Sequence, residues 1–311
     1  MITDISPVTG LTNLSHLNLG NNDIADISPI SSLTKLTSLS LNGNLIDDIT
    51  PVSGLSTLTF LNLDINSIDN IAPLSQLSNL ETLHLSYNDI NDITAIENLT
   101  KLAQLYIYDN LIEDISPLAG LTKLAQLRIG SNQISNIDSI GNLLNLTELY
   151  LDNNLIGDIA ALTDCNNLTE LRLNGNYITD ISPVTSLSKL KIFLLDYNLV
   201  TDISALAGLT NLTQLKMGGN LISDISPLAE LTKIKELGLE TNYIFDIATL
   251  SGMSNMEKLY LQNNFISDIS YLTGMMKLTR LELTNNYLNT DAYDLHIPVI
   301  VANNPKATIL Y

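Results

Sequence analysis

Isoleucine stands at position 5 and then at every 22nd residue: Ile5, Ile27, Ile49, Ile71, Ile93, Ile115, Ile137, Ile159, Ile181, Ile203, Ile225, Ile247 and Ile269. A repeat this strict, carried without an insertion, specifies a solenoid, because each unit cannot bury its apolar face alone and must stack on its neighbours. Function is then expected on an extended surface. The unit from Leu11 to Leu33 reads LTNLSHLNLGNNDIADISPISSL. Within it Leu17 and Leu19 alternate with His16, Asn18 and Gly20, the period of a strand with one buried face. The pair recurs in each unit as far as Leu281 and Leu283, which predicts about thirteen short parallel strands.

A second column is asparagine: Asn22, Asn44, Asn66, Asn88, Asn110, Asn132, Asn154, Asn176, Asn198, Asn220, Asn242, Asn264 and Asn286. The chain must turn sharply out of each strand, and an inward amide can satisfy backbone groups that the turn would otherwise bury unpaired. These residues are expected to be structural. Each coil returns through a segment such as Asp26-Ile27-Ser28-Pro29-Ile30. Serine before proline reads as an N-cap and first helical residue, and so few residues remain that only a turn or two of 3₁₀ helix fits. The aspartate of that segment recurs from Asp4 to Asp268, replaced by Asn70 and Asn136. Local acceptance of backbone N–H groups accounts for the column, since asparagine keeps the acceptor without the charge. Divalent cation binding between coils is the sharper alternative.

Composition narrows the function classes. The chain carries 33 acidic against 14 basic residues, net −19, a poor match to nucleic acid or an anionic membrane surface. No apolar run approaches the ~20 residues needed to span a bilayer, so no membrane insertion is expected. Cys165, the one cysteine, occupies a leucine column and reads as a small core hydrophobe. His16, His84 and His296 fall in units far apart, which removes the usual zinc spacings and any base for a serine or cysteine nucleophile. No phosphate-binding or nucleophile-elbow motif is present. The expectation is a non-enzyme without metal or cofactor. Residues 1–288 read as one elongated repeat domain. Residues 289–311 read as a capping segment: Thr290 N-caps a helical stretch, Pro298 interrupts or restarts it, and 307–311 form a strand. Met1-Ile2-Thr3-Asp4 open partway through a repeat, as a portion of a longer chain would.

The outward side of the strands is where a ligand would bind. Its central column runs Asn18, Ser40, Asn62, His84, Tyr106, Arg128, Tyr150, Arg172, Leu194, Lys216, Gly238, Tyr260 and Glu282. Tyrosine and arginine are enriched in interface hot spots. The candidate ligand-binding set is Phe60, His84, Tyr106, Tyr108, Arg128, Tyr150, Arg172, Leu194, Lys216 and Tyr260. Cross-strand packing between aromatic and cationic neighbours is the alternative reading of this alternation. Lys35, Lys101, Lys123, Lys189, Lys233 and Lys277 share an edge column and read as ordinary solvating charge.

The unit LTNLxxLxLxxNxIxDISPLxxL, clearest in Leu99–Leu121 and Leu209–Leu231, resembles the 22-residue leucine-rich repeat of bacterial internalins over residues 1 to about 288. The tail, with Tyr287-Leu288-Asn289-Thr290 and Asn303-Asn304-Pro305, is similar to the end segment of such domains. The resemblance implies an α/β repeat solenoid, a leucine-rich-repeat horseshoe with a parallel β-sheet on the concave face and short 3₁₀ or irregular segments on the convex face. It also implies an adhesion or recognition module that binds a protein ligand through the concave face, extracellular or at the bacterial cell surface. An intracellular repeat scaffold that regulates an enzyme such as a protein phosphatase is the alternative.

Overall fold

The computed structural model describes residues 1–311, which fall into two compact units, Met1–Leu155 and Ile156–Tyr311. Within the first, strands β1 (His16–Asn18), β2 (Ser38–Ser40), β3 (Phe60–Asn62), β4 (Thr82–His84), β5 (Gln104–Tyr106), β6 (Gln126–Arg128) and β7 (Glu148–Tyr150) pair in parallel and in chain order. Each residue faces its counterpart one repeat later, as Tyr106 faces Arg128 and Arg128 faces Tyr150. That register puts the central leucine of every strand inward and its two neighbours outward.

The core is a set of stacked aliphatic columns. From Leu33 onward the leucines and isoleucines of the inward-facing columns are essentially inaccessible to solvent. The return segment is a short 3₁₀ turn such as Ser28–Ile30 or Ser116–Leu118, whose last residue is buried. Here the expected cap is corrected. Ser28 lies inside the turn, and Asp26 caps it by accepting the Ser28 N–H at 2.8 Å. A carboxylate two residues upstream reaches that N–H, whereas the serine is already helical. Asp48, Asp92 and Asp114 repeat the bond, and Asn70 makes it without charge at 2.9 Å. Such bonds hold Asp4 and Asp26 below the ordinary carboxylate value, the backbone N–H contributing most.

The turn out of each strand needs one residue in the left-handed region, held by Tyr87 (φ 57°) or Asp109 (φ 55°) and by glycine at Gly43. The ladder asparagine follows. Asn88 Oδ1 accepts the Ile68 N–H of the preceding coil at 3.0 Å, while its amide donates to the Leu63 and Leu85 carbonyls. Each amide thus ties two coils together.

The second unit repeats the plan with β8 (Glu170–Arg172), β9 (Ile192–Leu194), β10 (Gln214–Lys216), β11 (Glu236–Gly238), β12 (Lys258–Tyr260) and β13 (Arg280–Glu282). Cys165 is fully buried in the leucine column, and burial pushes its thiol up to about 11. The tail forms a π-helical turn, Ala292–His296, then helix α1 (Ile297–Asn303), with Pro298 near its start. Strand β14 (Thr308–Leu310) pairs with β13. Asn289, in place of the expected Thr290, accepts the Ala292 N–H at 2.8 Å. Asn304 closes the open coil, accepting the Leu278 N–H and donating to Met275. No helix is long and apolar enough to cross a membrane.

The lysine column also differs from expectation. Lys35 and Lys101 in the first unit reach Asn13 and Asn79, one repeat back, at 2.7 and 2.6 Å. In the second, Lys189, Lys233 and Lys277 reach Asn167, Asn211 and Asn255. These residues bridge successive coils with charge-assisted bonds in addition to solvating the edge.

Candidate functional site: the outward strand face

In the first unit five side chains from successive strands form one continuous stack. The Phe60 and His84 rings lie 5.5 Å apart and His84 and Tyr106 4.4 Å apart. The Arg128 guanidinium then sits between two phenol rings, 4.7 Å from Tyr106 and 4.6 Å from Tyr150. Parallel pairing accounts for this order, since same-face neighbours on adjacent strands come within ~5 Å. Polar side chains of the flanking column fix the stack from the side. Glu148 takes Arg128 at 3.2 Å and the Gln126 amide at 3.1 Å, while the Tyr106 hydroxyl donates to Gln126 at 2.5 Å. Burial pushes the Tyr106 phenol above its ordinary value, and the nearby Arg128 offsets only part of that. His84 lies 3.5 Å from the Asp64 carboxylate. Arg128 Nε is buried with no acceptor, so the stack retains an unused donor.

Every member of this stack is half-buried, and the same holds for Tyr108. Tyr108 stands apart from it, packed on Tyr87 with ring centroids 5.6 Å apart and covering Gly130, where a Cβ would come within 3.0 Å of its ring. The cross-strand packing weighed as an alternative is therefore present in the geometry. Rings and guanidinium hold one another in fixed positions while keeping an outward edge.

The second unit distributes its residues differently. Arg172 pairs with Glu170 at 2.5 Å, and Leu194 takes the register position between Arg172 and Lys216. Lys216 reaches across Gly238 to lie 5.8 Å from the Tyr260 ring, which Arg280 approaches from the other side at 5.8 Å. Glu236 binds both Lys216, at 2.8 Å, and Lys258, at 3.2 Å. Burial alone would push the Glu236 carboxyl up, but the two ammonium groups outweigh it and leave the group below its ordinary value.

Glu240 belongs to a flanking column of the outward face, as the repeat spacing places it, but stands outside the candidate ligand-binding set. Its carboxyl fills the space left by two glycines: a Cβ on Gly218 would lie 2.6 Å from it, and one on Gly238 3.1 Å. Burial raises its pKa, Lys216 and a backbone bond offset part of this, and Glu282 adds to the rise. Glu240 Oε2 and the adjacent Gln262 Oε1 are both buried without a donor. The sequence signal was the adjacent placement of Gly218 and Gly238 beside Glu240, Gly238 interrupting a run of large residues from His84 to Tyr260 in the central column.

Stacked parallel strands, an asparagine ladder and 3₁₀ return turns define the class of leucine-rich-repeat solenoids. The family model described as Leucine Rich repeats (2 copies) matches residues 12–56, 78–120, 122–164 and 254–295, and a second, Leucine rich repeat, matches 166–222. The structure is similar to an internalin, InlF, of Listeria monocytogenes, with 35% identity over 96% of this chain and 87% of that one and a TM-score of 0.92. The chain belongs to the leucine-rich-repeat family and is internalin-like within it. A leucine-rich-repeat protein of Leptospira interrogans shares the fold at 24% identity, covering 100% of this chain and 81% of that one with a TM-score of 0.90. So does an Arabidopsis thaliana receptor kinase ectodomain solved in complex with CASPARIAN STRIP INTEGRITY FACTOR 2, at 21% identity, 91% and 40% coverage and a TM-score of 0.72. No curated protein sequence matches the chain.

Proposed function

We infer that this chain is a recognition module that binds a protein partner through the outward strand face, as part of a bacterial surface or secreted protein. The observation that carries the reading is the Phe60–His84–Tyr106–Arg128–Tyr150 stack. Ordering a rotamer-rich side chain on binding costs roughly 0.5–1.5 kcal/mol, and here neighbouring strands have already fixed the rings and the guanidinium. Pre-positioned aromatic and arginine anchors are the residue types that dominate protein interfaces. Similarity to InlF supports a surface or secreted setting over the intracellular scaffold. Partner chemistry follows from charge: an acidic chain of net −19 favours a partner with a basic rim.

A photo-crosslinking amino acid at position 104, beside the stack on β5, is expected to trap a partner from the organism's surroundings. The same group at position 97, on the return segment, is expected to trap none. Crosslinks from position 97 alone would place the interface elsewhere and refute the reading.

A further inference from the structure

Independently of the strand face, the second unit carries an apolar groove along its strand-exit edge. One wall is a row of exposed rings, one per coil: Tyr243, Phe265 and Tyr287, with centroids 6.0 and 5.7 Å apart and planes within 12° of parallel. The other wall is polar and consists of the left-handed residues Thr241, Asn263 and Asn285. They are joined by side-chain bonds, Asn285 to Asn263 at 2.8 Å and Asn263 to the Thr241 hydroxyl at 3.2 Å. The buried ladder asparagines form the floor. At one end the Tyr197 ring lies over Gly219, where a Cβ would come within 2.6 Å of it. The open space is about 770 Å³, within the ~300–1,000 Å³ of ligand sites.

The lining determines the occupant. No carboxylate, ammonium, guanidinium or imidazole lines the groove, in a chain of net −19. A charged ligand would find nothing there to pair with, and an anion would be repelled by the rest of the surface. A wholly apolar ligand would leave the amide wall unpaired. The arrangement suits a ligand that is neutral, apolar on one face and hydroxylated along the other. Side-chain amides and hydroxyls offer donors and acceptors together, as sugar hydroxyls require, and aromatic rings accept the C–H face of a pyranose.

We propose that this groove binds a neutral oligosaccharide, its apolar C–H surface against the row of Tyr243, Phe265 and Tyr287 and its hydroxyls on Asn263 and Asn285. The test is calorimetric titration of the full chain with four probes: chitotetraose, cellotetraose, tetragalacturonate and a proline-rich decapeptide. Saturable binding of at least one neutral tetrasaccharide is expected, with no binding of the anionic one. Tyr287→Ala and Asn263→Asp should each weaken it at least tenfold while the protein remains folded. Tyr177→Ala, in the same exposed column but outside the groove, and Tyr106→Ala, on the strand face, should leave it unchanged. Binding of neither neutral sugar, equal affinity in the Tyr287→Ala and Asn263→Asp proteins, or preference for the peptide or the anionic sugar would each overturn the proposal.

Discussion

Asn220→Leu tests whether the asparagine ladder stabilises the solenoid, and its size can be worked out bond by bond. Asn220 is 4% exposed, accepts the Val200 N–H at 3.0 Å and donates to the carbonyls of Leu195, Met217 and Gly218. All three carbonyls keep another partner after the substitution, because Asn198 also donates to Leu195, Asn242 to Met217 and the Tyr197 N–H to Gly218. The Val200 N–H keeps none from the side chain it loses. One stranded buried donor costs about 1–3 kcal/mol, and the weaker loss at the shared carbonyls adds roughly 1 kcal/mol, for a total of about 2–4 kcal/mol. Leucine restores apolar volume, so packing loss does not account for the effect. Urea unfolding at matched m-value gives the change in stability, and amide exchange of the peptide containing Val200 gives its location. A leucine variant with wild-type stability, or one whose Val200 amide exchanges no faster, would refute the ladder account.

Three further outcomes follow from the same geometry. Burial raises the folded-state pKa of Glu240 above the ordinary 4.5, so the folded chain holds that proton more tightly than the unfolded chain. Its contribution therefore declines as pH rises from about 4.5 through the raised value, and Glu240→Gln should gain stability relative to wild type between acidic and neutral pH, whereas parallel melting curves would contradict it. The capping aspartates behave in the opposite sense. Asp224 is held below 3.8 by the Ser226 N–H and hydroxyl, so its contribution is present above about pH 3.8 and is lost as pH falls through the lowered value. Asp224→Asn should keep near-native stability at neutral pH and Asp224→Ala should not; equal losses in both would remove the acceptor argument. Cys165, buried with its thiol near 11, should resist maleimide in the native protein and react on denaturation, and rapid native labelling would misplace it.

The 22-residue period made the fold legible because it fixes both the inward column and the neighbour of every residue. Leu17, Leu39 and Leu61 could be placed on strands, and Tyr106 beside Arg128, before any coordinates. Local backbone detail was less legible. Ser28 and Asp26 can each cap a turn, and only the observed extent of the 3₁₀ turn, Ser28–Ile30, shows that Ser28 is already inside it. The lysine bridges were readable in principle, since Lys35 follows Asn13 by one repeat, but a long flexible side chain at an edge carries no sequence mark of being fixed. Tyr243, Phe265 and Tyr287 also stood at the repeat spacing. Their apolar character reads equally well as burial, so the spacing alone does not mark them as an exposed row. The position of Glu240 on the outward face was legible from the spacing, but its burial was not, because that environment is made by what Gly218 and Gly238 lack.

The central claim, that the pre-stacked strand face is the protein-binding surface, is tested most directly by Tyr106→Ala/Tyr150→Ala measured for stability and affinity together. Removing both rings takes two cation–π contacts from Arg128, each about 0.5–1 kcal/mol at an exposed site, so a stability loss of about 1–2 kcal/mol is expected. If the rings are binding anchors, affinity for the crosslinked partner should fall by at least ~2 kcal/mol, about 30-fold in Kd, with the protein still folded. The same loss of stability with unchanged affinity would mean that the stack serves the fold alone, and would contradict the account.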